Sequence, residues 1–214
     1  MVTTGSLLLF LAATVPLVLF PGPSVAFILA STLRGGRRAG LSATAGVETG
    51  YLVHVVGAVV GVSALLASSA AAFTLVKVAG AAWLLWLAVK AWRSTATGTL
   101  ADLSRGTSGA ALTGRRAFTR GLLVGALNPK TAVFFLAFLP QFVDPGAGPV
   151  WAQLLVFGLA FIALSAIPDA AWAVVGAGLG RVLPAVRVRV VDRISGGVYA
   201  ALAALTLTAR RTAT

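Results

Sequence analysis

The first 33 residues of the chain carry no charged side chain, and the pattern recurs along its length. Glu48 alone interrupts the run from Ala39 to Val76, Lys130 the run from Gly121 to Val143, and Asp169 the run from Pro145 to Gly180. A helix needs about 20 predominantly apolar residues to cross the roughly 30 Å hydrocarbon core of a bilayer, so several crossings fit into 214 residues. Only 10% of the residues are charged, where an ordinary soluble domain has about a quarter, and mean hydropathy is +0.96. These features predict an all-α membrane protein with one transmembrane domain over residues 1–214 and no separate soluble domain. The uncharged opening run lacks the basic stretch of a secretory signal and outlasts its apolar segment, so it reads as a retained first helix.

Six spans are expected, at about 7–33, 40–66, 73–92, 118–142, 150–179 and 194–209. A basic turn, Arg34 to Arg38, separates the first two. A Ser/Thr/Gly/Ala-rich loop over 93–117 separates the third and fourth and has the composition of a flexible linker. Span six is short: sixteen residues rise about 24 Å, so it must thin the bilayer or extend through its flanks. Basic residues gather at Arg34, Arg37 and Arg38, then between Lys90 and Arg120, then between Arg181 and Arg193. Those loops are assigned to the cytoplasm, which puts both termini outside; Arg210 and Arg211 in the tail run against this and weigh less than early loops. Three spans, a long loop and three more spans give the arrangement of two inverted three-helix repeats, with helices one and four broken.

The +12 charge does not point to nucleic acid, because no aromatic-interleaved basic surface accompanies it; anionic lipid and topology account for it. The lack of Cys and the single His54 leave no thiolate or multi-histidine metal centre, and no cofactor is expected.

Where would the chemistry sit? Pro21-Gly22-Pro23 lies about 21 Å along the first span. Two prolines remove two backbone donors and release carbonyls one turn earlier, so the helix must kink or unwind, which a bilayer tolerates only against protein or a watery cavity. Asn128-Pro129-Lys130 lies about 15 Å from the inner end of span four, where a half-helix start and a lysine favour an anion such as a substrate carboxylate. Pro168, read as a third proline break, and Asp169 beside it in span five fall at similar depth to Glu48 in span two. Intramembrane ionisable groups pair or line a pathway, so Lys130 is expected to face Asp169 or Glu48. An ammonium or a coupling proton is then the guest for the acids.

Gly46, Gly50, Gly57 and Gly61 fall on one stripe of span two and read as a close-packing face with His54 at its edge. His54 reads as a buried, hydrogen-bonded histidine ahead of a proton relay. Trp83, Trp86 and Trp92 of span three read as lipid-facing or interfacial, and Gln141 and Trp172 carry no assigned role.

Pro21-Gly22-Pro23 in the first span and Asn128-Pro129-Lys130 in the fourth resemble the motifs of the LysE/RhtB amino-acid exporters. The likeness extends over Gly121 to Leu136, over Val78 to Lys90, and to the spacing of Gly46, Gly50 and His54. What the resemblance implies is efflux of amino acids or close derivatives across the bacterial inner membrane, driven by the proton gradient. Pro21, Gly22, Pro23, Asn128, Pro129, Lys130, Asp169 and Glu48 are then candidates for binding substrate, and Asp169, Glu48 and His54 for coupling protons. Glu48 stands where an apolar or small residue is expected in this family, which leaves the substrate open. A homo-oligomer is compatible with the sequence. The alternatives are a channel, an exporter of another small solute, and an intramembrane enzyme; the last lacks any serine elbow or His-Glu helix motif.

Overall fold

The computed structural model describes residues 2–19, 21–64, 70–94, 113–178 and 188–208. Among them every regular element is helical. The chain runs through α1 (Thr4–Leu19), α2 (Pro23–Gly57), a wider π-type turn over Ala58–Val62, α3 (Ala70–Trp92), α4 (Gly114–Ala126) and the short α5 (Pro129–Val133). A second π-type turn (Phe134–Phe138) and a 3-10 turn (Leu139–Phe142) continue α5; α6 (Val150–Gly178) and α7 (Val188–Thr208) follow.

Among the described residues, four stretches are long and apolar enough to cross a membrane: Pro23–Gly61, Thr74–Trp92, Gly114–Phe142 and Val150–Gly176. Their outer faces expose large apolar side chains, among them Val56, Leu75, Leu127, Trp151 and Ile167. A water-soluble surface does not tolerate a belt of that size, whereas lipid requires one.

α2 is a hairpin. Gly36 has φ 72° and ψ −177°, a conformation open to glycine and strained for other residues. In one straight helix Ser24 and Tyr51 would stand about 40 Å apart, yet their hydroxyls are 2.8 Å apart. The chain therefore doubles back within the expected basic turn, and its second arm packs on α4 and α6. The contact with α4 is as close as backbones allow. A Cβ on Gly50 would lie 2.3 Å from the Leu122 carbonyl oxygen, and one on Gly125 would lie 2.2 Å from that of Val47. Gly46 and Gly121 meet the partner backbone in the same way. Among the described residues the glycine stripe is used only in this half: none of them lies within 4 Å of a Cβ built on Gly57 or Gly61, so those two do not pack closely against any described helix.

Three other expectations change. The helix of span four begins at Gly114, inside the segment taken as linker; residues 95–112 of that segment lie outside the described residues. α7 starts at Val188, ahead of the expected Ile194, so its 21 residues rise about 31 Å and the short apolar segment extends through its charged flank, one of the two outcomes expected of it. Pro168 lies inside α6 without ending it, because one missing N–H removes a single ladder bond. The expected breaks beside Gly22 and Asn128 do interrupt the helical path.

Trp83 and Trp86 stack at 4.8 Å on the exposed side of α3. Trp92, also exposed, donates from Nε1 to the Arg193 carbonyl at 3.0 Å and joins α3 to α7. The interior is dominated by phenylalanine: Phe10, Phe134, Phe142, Phe157 and Phe161 form a connected set with ring centroids 4.9 to 6.1 Å apart.

Candidate functional site

The two breaks meet. Pro21 has no N–H with which to close a bond to the carbonyl of Leu17, four residues earlier, and Lys130 Nζ donates to that oxygen at 2.6 Å. Pro129 leaves the carbonyl of Gly125 in the same position, and His54 Nε2 bonds to it at 3.1 Å, with Asn128 N–H at 3.2 Å. A carbonyl only accepts, so His54 Nε2 carries the hydrogen there. Each proline thus frees a main-chain acceptor, and a side chain from another segment takes it.

Asn128 caps α5: its Oδ1 accepts from the Lys130 N–H at 3.0 Å, while its Nδ2 donates to Ser24 Oγ at 2.6 Å. Ser24, at the start of α2, also bonds Tyr51 OH, and Tyr51 reaches Thr131. The two half-helix starts are therefore tied directly to one another, and both are tied to the second arm of α2.

These residues line a cavity with Leu17, Val18, Gly22, Val25 and Phe161 on its apolar side, and Ser165 and Asp169 of α6 facing Lys130. The space open to the centre of a water-sized sphere is about 20 Å³, enough for a water or so. The lysine stem passes beside Gly22, where a Cβ would meet Lys130 Cδ at an ordinary contact distance of 3.5 Å. Asp169 attracts Lys130 electrostatically and also interacts with Glu48. Glu48 does not line the cavity. It is 8% exposed, accepts from Ser165 Oγ at 2.7 Å on Oε2, and has a buried Oε1 without a hydrogen-bond partner among the described residues.

Of the residues marked from sequence, Gly22, Asn128, Lys130 and Asp169 are on the cavity wall. Pro21, Pro23 and Pro129 shape the backbone around it, Glu48 stands behind it, and His54 lies outside it on the α4 side. Sequence reasoning passed over Ser24, Tyr51, Thr131 and Ser165. Two signals were available: Ser24 and Thr131 each follow a break within two residues, and Ser165 precedes Asp169 by one helical turn.

Gln141 donates to the Ala137 carbonyl of its own turn, and neither it nor Trp172 lines the cavity. No group of three or more His, Cys, Asp or Glu side chains that suits a metal ion occurs among the described residues.

Comparison with known proteins agrees with this architecture. A family description, "LysE type translocator", matches residues 15–210. An uncharacterized membrane protein of Vibrio cholerae is 34% identical over 205 residues, covering 95% of this chain and 97% of that protein. A homoserine/homoserine lactone efflux protein of Salmonella typhimurium is 33% identical over 158 residues, 74% of each chain. A leucine efflux protein of Salmonella choleraesuis is 30% identical over 135 residues, covering 63% of this chain and 62% of that protein. No solved structure matches the chain. With its two proline breaks joined through Lys130 and a match over nearly its whole length, this multi-pass membrane protein belongs to the LysE family of translocators.

Proposed function

We propose that this protein exports an amino acid or a close derivative from the bacterial cytoplasm across the inner membrane, in exchange for protons. The reading rests above all on one observation: Lys130 sits on the main-chain oxygen freed by Pro21, with Asp169 opposite, in a cavity between two broken helices. The names of two sets of relatives, for homoserine or its lactone and for leucine, support an amino-acid substrate.

The chemistry follows from the pairing. An amino acid is a zwitterion, so its carboxylate displaces the Leu17 carbonyl from Lys130 while its ammonium meets Asp169. Each buried charge keeps a counter-charge throughout, which is the condition for holding ions at mid-bilayer. One lysine faces two carboxyls, and the site is neutral only if it also holds one proton. Asp169 and Glu48 interact, so an ammonium arriving at the pair weakens its hold on the proton, which links outward movement of one to inward movement of the other. The cavity is too small for an amino acid as it stands, so binding must widen it; this suits alternating access between six spans in two inverted halves, with both termini outside.

Inside-out vesicles with an acidic lumen test the proposal. Labelled homoserine or leucine accumulates above its bath concentration, and a protonophore collapses the gradient. Purely downhill flux indicates a channel. Absence of flux for every amino acid tried overturns both.

A further inference from the structure

The two acids of the site occupy different surroundings. Asp169 is on the cavity wall, where a substrate ammonium can reach it. Glu48 stands behind that wall, and two wall side chains separate it from the cavity: Ser165, whose hydroxyl donates to it at 2.7 Å, and Asp169, the residue that would be occupied by the substrate ammonium. The Ser165 hydroxyl has two acceptors within reach, Glu48 Oε2 at 2.7 Å and the Ile162 carbonyl at 3.1 Å, so its hydrogen can turn away from the carboxyl without losing a partner. Glu48 Oε1 is buried, has no donor to it among the described residues, and its carboxyl neighbours a second acid, Asp169, an arrangement poor for holding a permanent charge.

From this geometry we infer a division of labour within the proposed antiport: Asp169 holds the substrate, Glu48 holds the proton without touching the substrate, and Ser165 is the relay between Glu48 and the cavity. The inference rests on the exporter reading above.

The step balances in both directions. With the cavity open to the outside, a hydrated proton in it protonates Ser165 Oγ as the original hydroxyl hydrogen passes to Glu48 Oε2, leaving a neutral serine and a neutral carboxyl. With the cavity open to the cytoplasm, the Glu48 proton returns to Oγ and the serine gives one to cavity water. The groups that face Glu48 are few. Asp169 on α6 interacts with it directly, Tyr51 lies on its own helix, and Lys130 of α5 stands beyond Asp169. Arg115, Arg116 and Arg120 of α4 are exposed, and His54 is bonded to Gly125.

Purified full-length protein in proteoliposomes separates the roles, with homoserine or leucine as the probe, whichever the wild type exchanges. Two rates are read: exchange of labelled for unlabelled substrate at equal pH, and accumulation driven by a pH gradient. For Glu48→Gln and Ser165→Ala, driven accumulation should fall at least about tenfold further than exchange does, while Asp169→Asn loses both together. Ser165→Thr, which keeps the hydroxyl, should recover driven accumulation to within about threefold of wild type. Elution as a single species from a sizing column certifies each variant as folded.

If Glu48→Gln loses exchange as fully as Asp169→Asn, Glu48 is a substrate ligand and the division is wrong. If Ser165→Ala accumulates substrate like the wild type, Ser165 is no relay. A wild type that exchanges amino acid but ignores the pH gradient removes the proton reading itself, and the relay with it. A wild type that exchanges nothing removes the exporter reading.

Discussion

Gly50→Ala tests whether the α2–α4 contact is what fixes the site. The added Cβ would lie 2.3 Å from the Leu122 oxygen, 2.7 Å from the Ala126 nitrogen and 3.0 Å from the Gly125 carbon, all main-chain atoms, where ordinary contact begins near 3.4 Å. Nothing flexible can yield, so the helices must separate by about 1 Å, and overpacking of this kind costs about 1–3 kcal/mol. At about 2–4 °C per kcal/mol for a chain of this size, the melting temperature falls by about 2–12 °C.

The next residue, Tyr51, holds Ser24 at 2.8 Å, and a shift of that size takes the bond beyond useful length, so transport falls as well. Gly57→Ala is the control of opposite sign. No described residue lies within 4 Å of its Cβ and its backbone is helical, with φ −58° and ψ −41°. Removing a helix-interior glycine gains about 0.5–1 kcal/mol, and the variant melts about 1–4 °C higher. Thermal unfolding in detergent, followed by loss of the monodisperse peak on a sizing column, reads both. Equal melting of Gly50→Ala and wild type, or a loss at Gly57 to match that at Gly50, would refute the packing argument.

Lys130→Ala and Asp169→Asn each abolish amino-acid export in whole cells while membrane levels by immunoblot stay near wild type; normal export by both would make these charges structural. Ser24→Ala leaves Asn128 Nδ2 and Tyr51 OH short of a partner, which costs about 1–3 kcal/mol and is read as earlier thermal unfolding together with slower transport. Pro21→Ala returns an N–H that competes with Lys130 for the Leu17 oxygen, and substrate exchange measured in proteoliposomes slows. Trp92→Phe removes one hydrogen bond between α3 and α7, and lowers stability by about 1 kcal/mol without changing the half-saturation concentration for export.

The breaks were legible in the sequence because proline's missing N–H is a covalent fact that no tertiary context repairs. Asn128 before Pro129 likewise carries its capping geometry with it. The reversal at Gly36 was visible as a basic Gly-Gly turn. The glycine stripe was only half readable, since periodicity shows which residues share a face but not how far the partner helix extends along it.

The start of α7 was misplaced because Arg189, Asp192 and Arg193 end the apolar pattern, whereas main-chain hydrogen bonding is indifferent to their charge. Pro168 was read as equivalent to Pro21 and Pro129, yet it has neither the second proline that follows Pro21 nor the capping Asn128 that starts a new helix at Pro129, and α6 runs through it. Ser24, Tyr51, Thr131 and Ser165 escaped notice because an uncharged hydroxyl in an apolar run is common and marks nothing until its neighbours across the bundle are known. Charge reveals itself in such a sequence, and hydrogen bonding does not.

The bond between Lys130 and the Leu17 oxygen has an unusual address in the gene. Its acceptor belongs to the main chain, so no change of side chain at position 17 deletes it, and the residue that makes the atom available is the proline four places on. A scan of single substitutions would score Leu17 only by how its side chain packs, and would find the information for this contact at Pro21. The same displacement separates the Gly125 oxygen from Pro129. In both halves of the protein, the instruction and the atom it governs are one helical turn apart.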